Sequence, residues 1–336
     1  MKKYAACMVV IGLLWMAGFD PTFKYPTGWP APHYRFEQNP LDSSKRELGR
    51  ALFFDPSLSK DSTISCASCH SPYQSFAHTD HAVSHGIHDQ LGNRNAPVLI
   101  NLAWQHELMH DGAISFFDFQ PLAPITHPKE MGEELGNVLK KLNQNQRYRK
   151  ALLKIYPDGE MTSERMLTCI SQFLLSLVSA DSKYDQVQRG VLSFTAQEQS
   201  GYRVFQAQCA RCHTPPLFTN FEFANNGISV DPIYQDSGRY KINKQAEDVF
   251  RFKVPTLRNI EFSYPYMHDG RYATLRAVLQ HYRKNKHSNA GVPDVALPLH
   301  FSENEETDLL AFLLTLSEPG FNYRAENQFP RAFFQR

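Results

Sequence analysis

This chain lacks an excess of charge of either sign. Its 336 residues carry 35 Lys and Arg against 34 Asp and Glu, a formal net charge of +1. That balance excludes the strong global field of a nucleic-acid-binding protein. Long apolar runs are scarce as well. The one candidate, Ala5 to Phe19 behind Met1-Lys2-Lys3, is too short for a confident membrane span and has the shape of a basic n-region followed by an h-region. Residues 1–20 are therefore expected to be a secretory signal peptide, with an uncleaved anchor as the alternative. Strand-type alternation is almost absent, which points to a mainly α fold. Cysteine is sparse. Of six, four fall in two short clusters, and the others are Cys7 in the leader and Cys169 in an apolar helical stretch. The remaining pair, one in the leader and one a small buried hydrophobe, is not expected to form a structural disulfide. With 42% hydrophobic residues and 12% aromatics the chain is globular, and it is long enough for two cores.

The four clustered cysteines read Cys66-Ala-Ser-Cys69-His70 and Cys209-Ala-Arg-Cys212-His213. C-x-x-C-H is the attachment pattern of a c-type haem. The thiols add to the two porphyrin vinyl groups, and the adjacent His gives the iron an axial nitrogen. A zinc site would instead use four thiolates, or thiolates with His on separate elements, and has no use for a His fused to each pair. Two covalent haems also fit an exported, periplasmic protein.

Three capping boxes mark helix starts: Ser44-Lys-Arg-Glu47, Thr195-Ala-Gln-Glu198 and Ser302-Glu-Asn-Glu305. Helices are expected from about Glu133 to Asn143, from Ser163 to Ser179, after Thr274, and through Leu309, Leu313 and Leu316. Residues 181–194 read as the hinge between halves. A second repeat supports duplication. Pro97-Val-Leu99-Ile-Asn101 precedes Met109-His110-Asp111-Gly112, and Pro255-Thr-Leu257-Arg-Asn259 precedes Met267-His268-Asp269-Gly270 at the same interval. The expected organisation is an N-terminal haem domain over 21–185, a C-terminal haem domain over 186–317, and a tail over 318–336 packing back on both. Both domains should be cytochrome c-like, with loop-rich haem surroundings. An iron with two protein ligands moves electrons, whereas one with a vacant position binds peroxide or oxygen. Met267 suggests itself as a second ligand, but Met109 holds the same place in the repeat. His110 and His268 would then be free to bond a haem propionate.

The exported part of the chain resembles the bacterial dihaem cytochrome c peroxidase family, which includes the MauG enzymes. The motifs that carry the resemblance are both C-x-x-C-H pairs, Ser84-His-Gly86, Gly92-Asn-Arg94-Asn95-Ala-Pro97, Gln120-Pro-Leu-Ala-Pro124, Pro128-Lys-Glu130-Met131, Val254-Pro-Thr-Leu-Arg-Asn259 and Tyr266-Met-His-Asp-Gly270. The resemblance implies that the haem on His70 reduces hydrogen peroxide, with Gln120 and Glu130 in its pocket, while the haem on His213 relays electrons. A carboxylate suits that pocket, because splitting the O–O bond requires a proton to move between the two oxygens. From sequence alone Glu130 is an ordinary helix-start acid and Gln120 a loop amide.

Three departures from the family stand out. A blocking His of the classical peroxidases corresponds to Ile87, flanked by His85 and His88. The second ligand of the C-terminal haem corresponds to Tyr282, as in MauG, where the peroxidases have Met; His281 and Met267 are the alternatives. A Trp between the haems corresponds to His110, and Trp104 nearby is no assured substitute. The family also implies a calcium ion held by the Asn95 side chain and the carbonyls of Ser263 and Pro265, an oxygen-only set suited to that cation. The expected function is a dihaem c-type peroxidase using a small electron-donor protein, a cytochrome c or a cupredoxin, with a homodimer as an open question. The alternatives are a MauG-like peroxide-dependent oxidase of a protein or small substrate, a pure electron-transfer cytochrome, and a haem-based sensor.

Overall fold

The structure, a computed structural model, describes residues 23–78, 80–284, 294 and 298–335. The expected leader, residues 1–20, lies outside the described residues. Helices dominate: α1 (Ser43–Phe54), α2 (Cys66–Cys69), α3 (Leu122–Thr126), α4 (Leu135–Gln144), α5 (Gln146–Leu152), α6 (Ser163–Leu175), α7 (Lys183–Gln188), α8 (Ala196–Gln208), α9 (Tyr240–Asn243), α10 (Leu275–Lys284), α11 (Glu303–Leu314) and α12 (Arg331–Phe334). The strands β1 (Phe223–Ala224) and β2 (Phe252–Lys253) form one antiparallel pair. Among the described residues no helix is long and apolar enough to cross a membrane.

Two helix pairs organise the molecule. In the first half α1 packs on α6, burying Leu48, Leu52 and Phe53 against Met166, Ile170 and Phe173. In the second α8 packs on α11, burying Val204 and Phe205 against Leu309 and Phe312. Both pairs approach through a glycine. A Cβ on Gly49 would lie 1.8 Å from the Cys169 carbonyl oxygen, and one on Gly201 would lie 1.9 Å from that of Asp308. Only a residue without a side chain permits that approach. The tail returns to the first half: Phe321 is buried in its core, and Phe333 and Phe334 pack on it.

The repeat is carried by backbone geometry. Asn101 and Asn259 both adopt positive φ, 54° and 56°. Their N–H groups donate to Leu177 and Leu316, just past α6 and α11. Leu108 bridges to Ile114 as Tyr266 bridges to Tyr272, and inside those bridges Met109 and Met267 sit at φ 67° and 75°. Asn tolerates the left-handed region because its short side chain bonds locally; Met does so only where the surrounding turn enforces it.

Three local expectations change. The cap of α1 is Asp42, which accepts from the Lys45 N–H at 2.8 Å, and not Ser44. An acceptor one residue before the helix satisfies the free N–H groups, whereas Ser44 already lies inside the first turn. The helix expected to reach Ser179 ends at Leu175, because the next residues turn to meet Asn101. The hinge contains a helix of its own, α7, started by a Ser182–Asp185 capping box. The boxes at Thr195 and Ser302 form as read.

Candidate functional site

Each C-x-x-C-H motif closes a single helical turn. His70 N–H donates to the Cys66 carbonyl at 2.9 Å, and His213 N–H to that of Cys209 at 3.0 Å. The first turn is α2; the second is the end of α8, with Cys209 as its C-cap. Each imidazole is fixed by its Nδ1–H, on Phe76 O at 2.8 Å for His70, and on Pro255 O at 3.1 Å and Phe218 O at 3.2 Å for His213. This tautomer leaves Nε2 with a free lone pair. Burial pushes both rings down to about 4, so they are neutral, as a metal ligand must be.

The donor set fits haem. All four motif thiols are half-buried and free of disulfides. Both axial imidazoles present an unprotonated Nε2. His78, beside His70, is buried with its Nδ1 lacking a partner among the described residues, the kind of orphan that a polar cofactor edge satisfies.

The surroundings of the two motifs differ. Glu130 follows α3 in a tight turn, with its N–H on the His127 carbonyl at 3.0 Å. Its carboxylate lies within electrostatic reach of both first-half thiols and raises the pKa of each, beyond what burial does. Burial in turn lifts the Glu130 carboxyl above the ordinary carboxylate range, against the pull of His127 at 3.9 Å. Ile87 is locked against this turn. Its N–H donates to the Glu130 carbonyl at 2.8 Å, and its side chain, 3% exposed, packs on Gly132. Of the flanking histidines, His88 is exposed and faces Asp61, whereas His85 touches the Cys69 sulfur through its carbonyl. Gln120 places Nε2 3.8 Å from the Met109 sulfur.

In the second half the phenol of Tyr282 on α10 lies beside Cys209 and Cys212. Burial pushes it up to about 12, and a hydrogen bond to the Asn226 side chain opposes that rise. Asn226 also places Nδ2 3.3 Å from the Met267 sulfur, and its carbonyl accepts from His281 Nε2 at 3.0 Å. His281 is thereby committed to the backbone. Asn226 was not legible in the sequence; it is one loop amide among many, and only the fold sets it between three candidate ligands.

Between the halves, His110 is enclosed. Its Nε2–H donates to the Asn95 carbonyl at 2.8 Å, and burial pushes the ring down to about 4. His268 stacks on Phe252 with centroids 3.8 Å apart. Trp104 lies elsewhere, its indole N–H on Pro30 O at 2.8 Å, in a small cluster with Leu175 and Leu217. Asn95 turns its Nδ2 to Ala82 O at 3.0 Å. Its Oδ1 and the carbonyls of Ser263 and Pro265 accept no hydrogen bond among the described residues. Buried ion pairs tie the junction. Arg94 forks onto Asp236 at 2.6 and 3.0 Å and reaches Asp111 at 2.6 Å. Arg258, fully buried, forks onto Asp185 at 2.7 and 2.8 Å. Burial alone would raise the Asp185 carboxyl; Arg258 outweighs it and holds the group below the ordinary range.

Two covalent haem turns in one duplicated helical frame define a dihaem c-type cytochrome, and the comparisons narrow that class. Residues 43–193 match the family described as di-haem cytochrome c peroxidase. The chain is 34% identical to methylamine utilization protein MauG of Methylorubrum extorquens over 312 residues, 90% of this chain and 86% of that protein. It is 33% identical to cytochrome c551 peroxidase of Nitrosomonas europaea over 289 residues, 84% of this chain and 83% of that one. Its fold is similar to that of a MauG-like protein associated with microbial copper homeostasis, with a TM-score of 0.83, 28% identity, and coverage of 92% of this chain and 99% of that one. The chain belongs to the dihaem cytochrome c peroxidase family. It is a peroxidase-type oxidoreductase with two c-type haems.

Proposed function

We propose that peroxide is reduced in the half that carries His70 and that electrons arrive through the half that carries His213. The observation that supports this division is the contrast beside the two thiol pairs: the half-buried carboxyl of Glu130 acts on both thiols of the first, whereas the buried phenol of Tyr282 accompanies both thiols of the second and the carboxylates there, Glu222 and Asp294, act on Cys212 alone. Cys66, Cys69 and His70 would hold one haem, and Cys209, Cys212 and His213 the other, with Tyr282 as its second axial ligand ahead of Met267. When bound, the haem irons supply the two-electron reducing centre on which the O–O bond is cleaved. Ile87 offers no donor atom near the first centre and leaves it open to peroxide. The Glu130 carboxylate takes the proton from the inner peroxide oxygen and returns it to the outer one, which leaves as water. A raised pKa helps the first of these transfers, since a weaker acid is a stronger base. Gln120 orients the peroxide through its amide. The His70 and His213 Nδ1–H bonds to backbone carbonyls hold both rings in register and increase their basicity.

The donor is a small redox protein, a cytochrome c or cupredoxin, meeting the protein in the periplasm after removal of the leader. Asn95, Ser263 and Pro265 would hold a calcium ion between domains spanning 21–185 and 186–317, and His268 would border a haem. A second reading, a MauG-like oxidase of a protein or small substrate, draws on the pairing of Ile87 with Tyr282.

The test is the absorption and EPR spectrum of the resting ferric protein before and after peroxide. One high-spin haem that reacts without prior reduction is expected. Two low-spin haems inert to peroxide would leave a pure electron-transfer cytochrome. Turnover with reduced cytochrome c alone favours the peroxidase; peroxide-dependent oxidation of another substrate without it favours the oxidase.

A further inference from the structure

The halves correspond residue by residue across their junction. The step along the chain that carries Pro97 to Pro255, Asn101 to Asn259 and His110 to His268 also carries Asn95 to Lys253, Gln105 to Ser263 and Glu107 to Pro265. The hydrogen bonds obey this register. Asn95 N–H donates to the His268 carbonyl at 2.7 Å, and Lys253 N–H donates to the His110 carbonyl at 2.7 Å. Each half thus lends one residue to the histidine turn of the other.

The side chains at these two positions then diverge. Lys253 sends Nζ to the Glu107 carbonyl oxygen at 2.9 Å. Asn95, its counterpart, makes no such contact, and the carbonyl of Pro265, the counterpart of Glu107, accepts no hydrogen bond among the described residues. Pro265 is buried. A buried carbonyl without a donor is costly, and an ammonium or a metal cation removes that cost equally well. The ammonium is a compact point charge with three donors, the nearest a side chain comes to a bound ion. Around Lys253 the fold supplies negative charge, from the carboxylates of Glu107 and Asp111. Burial pulls the group down to about 8 against those carboxylates, which keeps it cationic at neutral pH.

We propose that Lys253 is a tethered cation that fills one of two related cation sites between the halves, the other, at Asn95, Ser263 and Pro265, being left for a free ion of the calcium type. This rests in part on the calcium reading given above and extends it to a residue outside that reading. The oxygen-only donors at the open copy suit a hard divalent cation. The two copies brace the same junction, and only one of them depends on metal.

A reciprocal exchange tests this, using the haem-loaded protein. The readouts are the number of calcium ions bound in equilibrium dialysis and the unfolding temperature with and without a chelator. Lys253→Asn recreates the open donor set in the second copy, and it is expected to bind one calcium more than the parent. Lys253→Met gains none. Asn95→Lys is expected to bind one fewer and to unfold at a temperature that no longer responds to chelator. Lys253→Asn binding the same number as the parent overturns the proposal. If Lys253→Asn does not fold, the Asn95→Lys arm decides: an unfolding temperature still lowered by chelator overturns the proposal, and one indifferent to chelator supports it. A parent that binds no calcium defeats the calcium reading alone. In that case a Lys253→Asn protein that binds one ion still supports the tethered cation, and one that binds none overturns it.

Discussion

The first half sets one carboxyl, Glu130, against both of its haem cysteines, and the second sets a phenol, Tyr282, against both of its own, with the carboxylates of Glu222 and Asp294 acting on Cys212 alone. Much of the frame is shared: the turn that presents the His, a carbonyl that holds its Nδ1, the positive-φ Met, and an amide against that Met sulfur. The amide comes from Gln120 in one half and Asn226 in the other, and Asn226 also bonds Tyr282. Duplication therefore kept the apparatus that holds a cofactor and changed the group that faces it. The lesson is that binding is fixed by backbone geometry, whereas reactivity is set by single side chains laid on that geometry.

The largest effect should come from severing one attachment at a time. The double variants Cys66→Ala/Cys69→Ala and Cys209→Ala/Cys212→Ala are each expected to lose covalent attachment of one haem only, read as a halved haem stain per chain after denaturation. Peroxide should no longer alter the spectrum of the first variant, whereas the second should still react once and then stall. An equal loss of the first peroxide reaction in both would break the division of labour. Next, Glu130→Gln should lower kcat/KM for peroxide by about 10²–10⁴-fold while haem content stays at two per chain. Its carboxyl is raised by burial and acts as a base, so kcat/KM should climb with pH through that raised value, and the acid limb should vanish in Glu130→Gln. Tyr282→Phe should leave that limb in place.

Smaller effects test the shared frame. Arg258→Ala strands the Asp185 carboxylate at the junction and should cost about 3–5 kcal/mol in denaturant unfolding. Least of all, Gly49→Ala and Gly201→Ala force a Cβ against a backbone carbonyl in equivalent helix crossings, and each should cost about 1–3 kcal/mol by thermal unfolding. A large difference between those two would show that the halves are less alike in packing than in outline.

Much of this was readable in the chain. The haem turns follow from covalent spacing within five residues, and the paired Pro, Asn and Met-His-Asp-Gly elements follow from register alone. Capping boxes at Thr195 and Ser302 were legible because the bonds that make them are local. The start of α1 was misread because two acceptors, Asp42 and Ser44, compete within three residues, and only the path of the preceding chain selects Asp42. The helix in the hinge escapes the sequence pattern because it is short and its Ser182–Asp185 box carries the shorter Asp where the usual signature has Glu or Gln.

By itself the sequence determined that this protein carries two covalent haems in two related halves, since those properties depend on which residues stand at which spacing. Only the tertiary structure decided that Glu130 and Tyr282 face opposite thiol pairs, that Asn226 gathers three candidate ligands, and that Lys253 reaches a carbonyl its counterpart leaves bare. The physical reason is that a side chain's neighbours are set by segments far away in the chain, whose path follows from helix crossings and turns that no local pattern encodes.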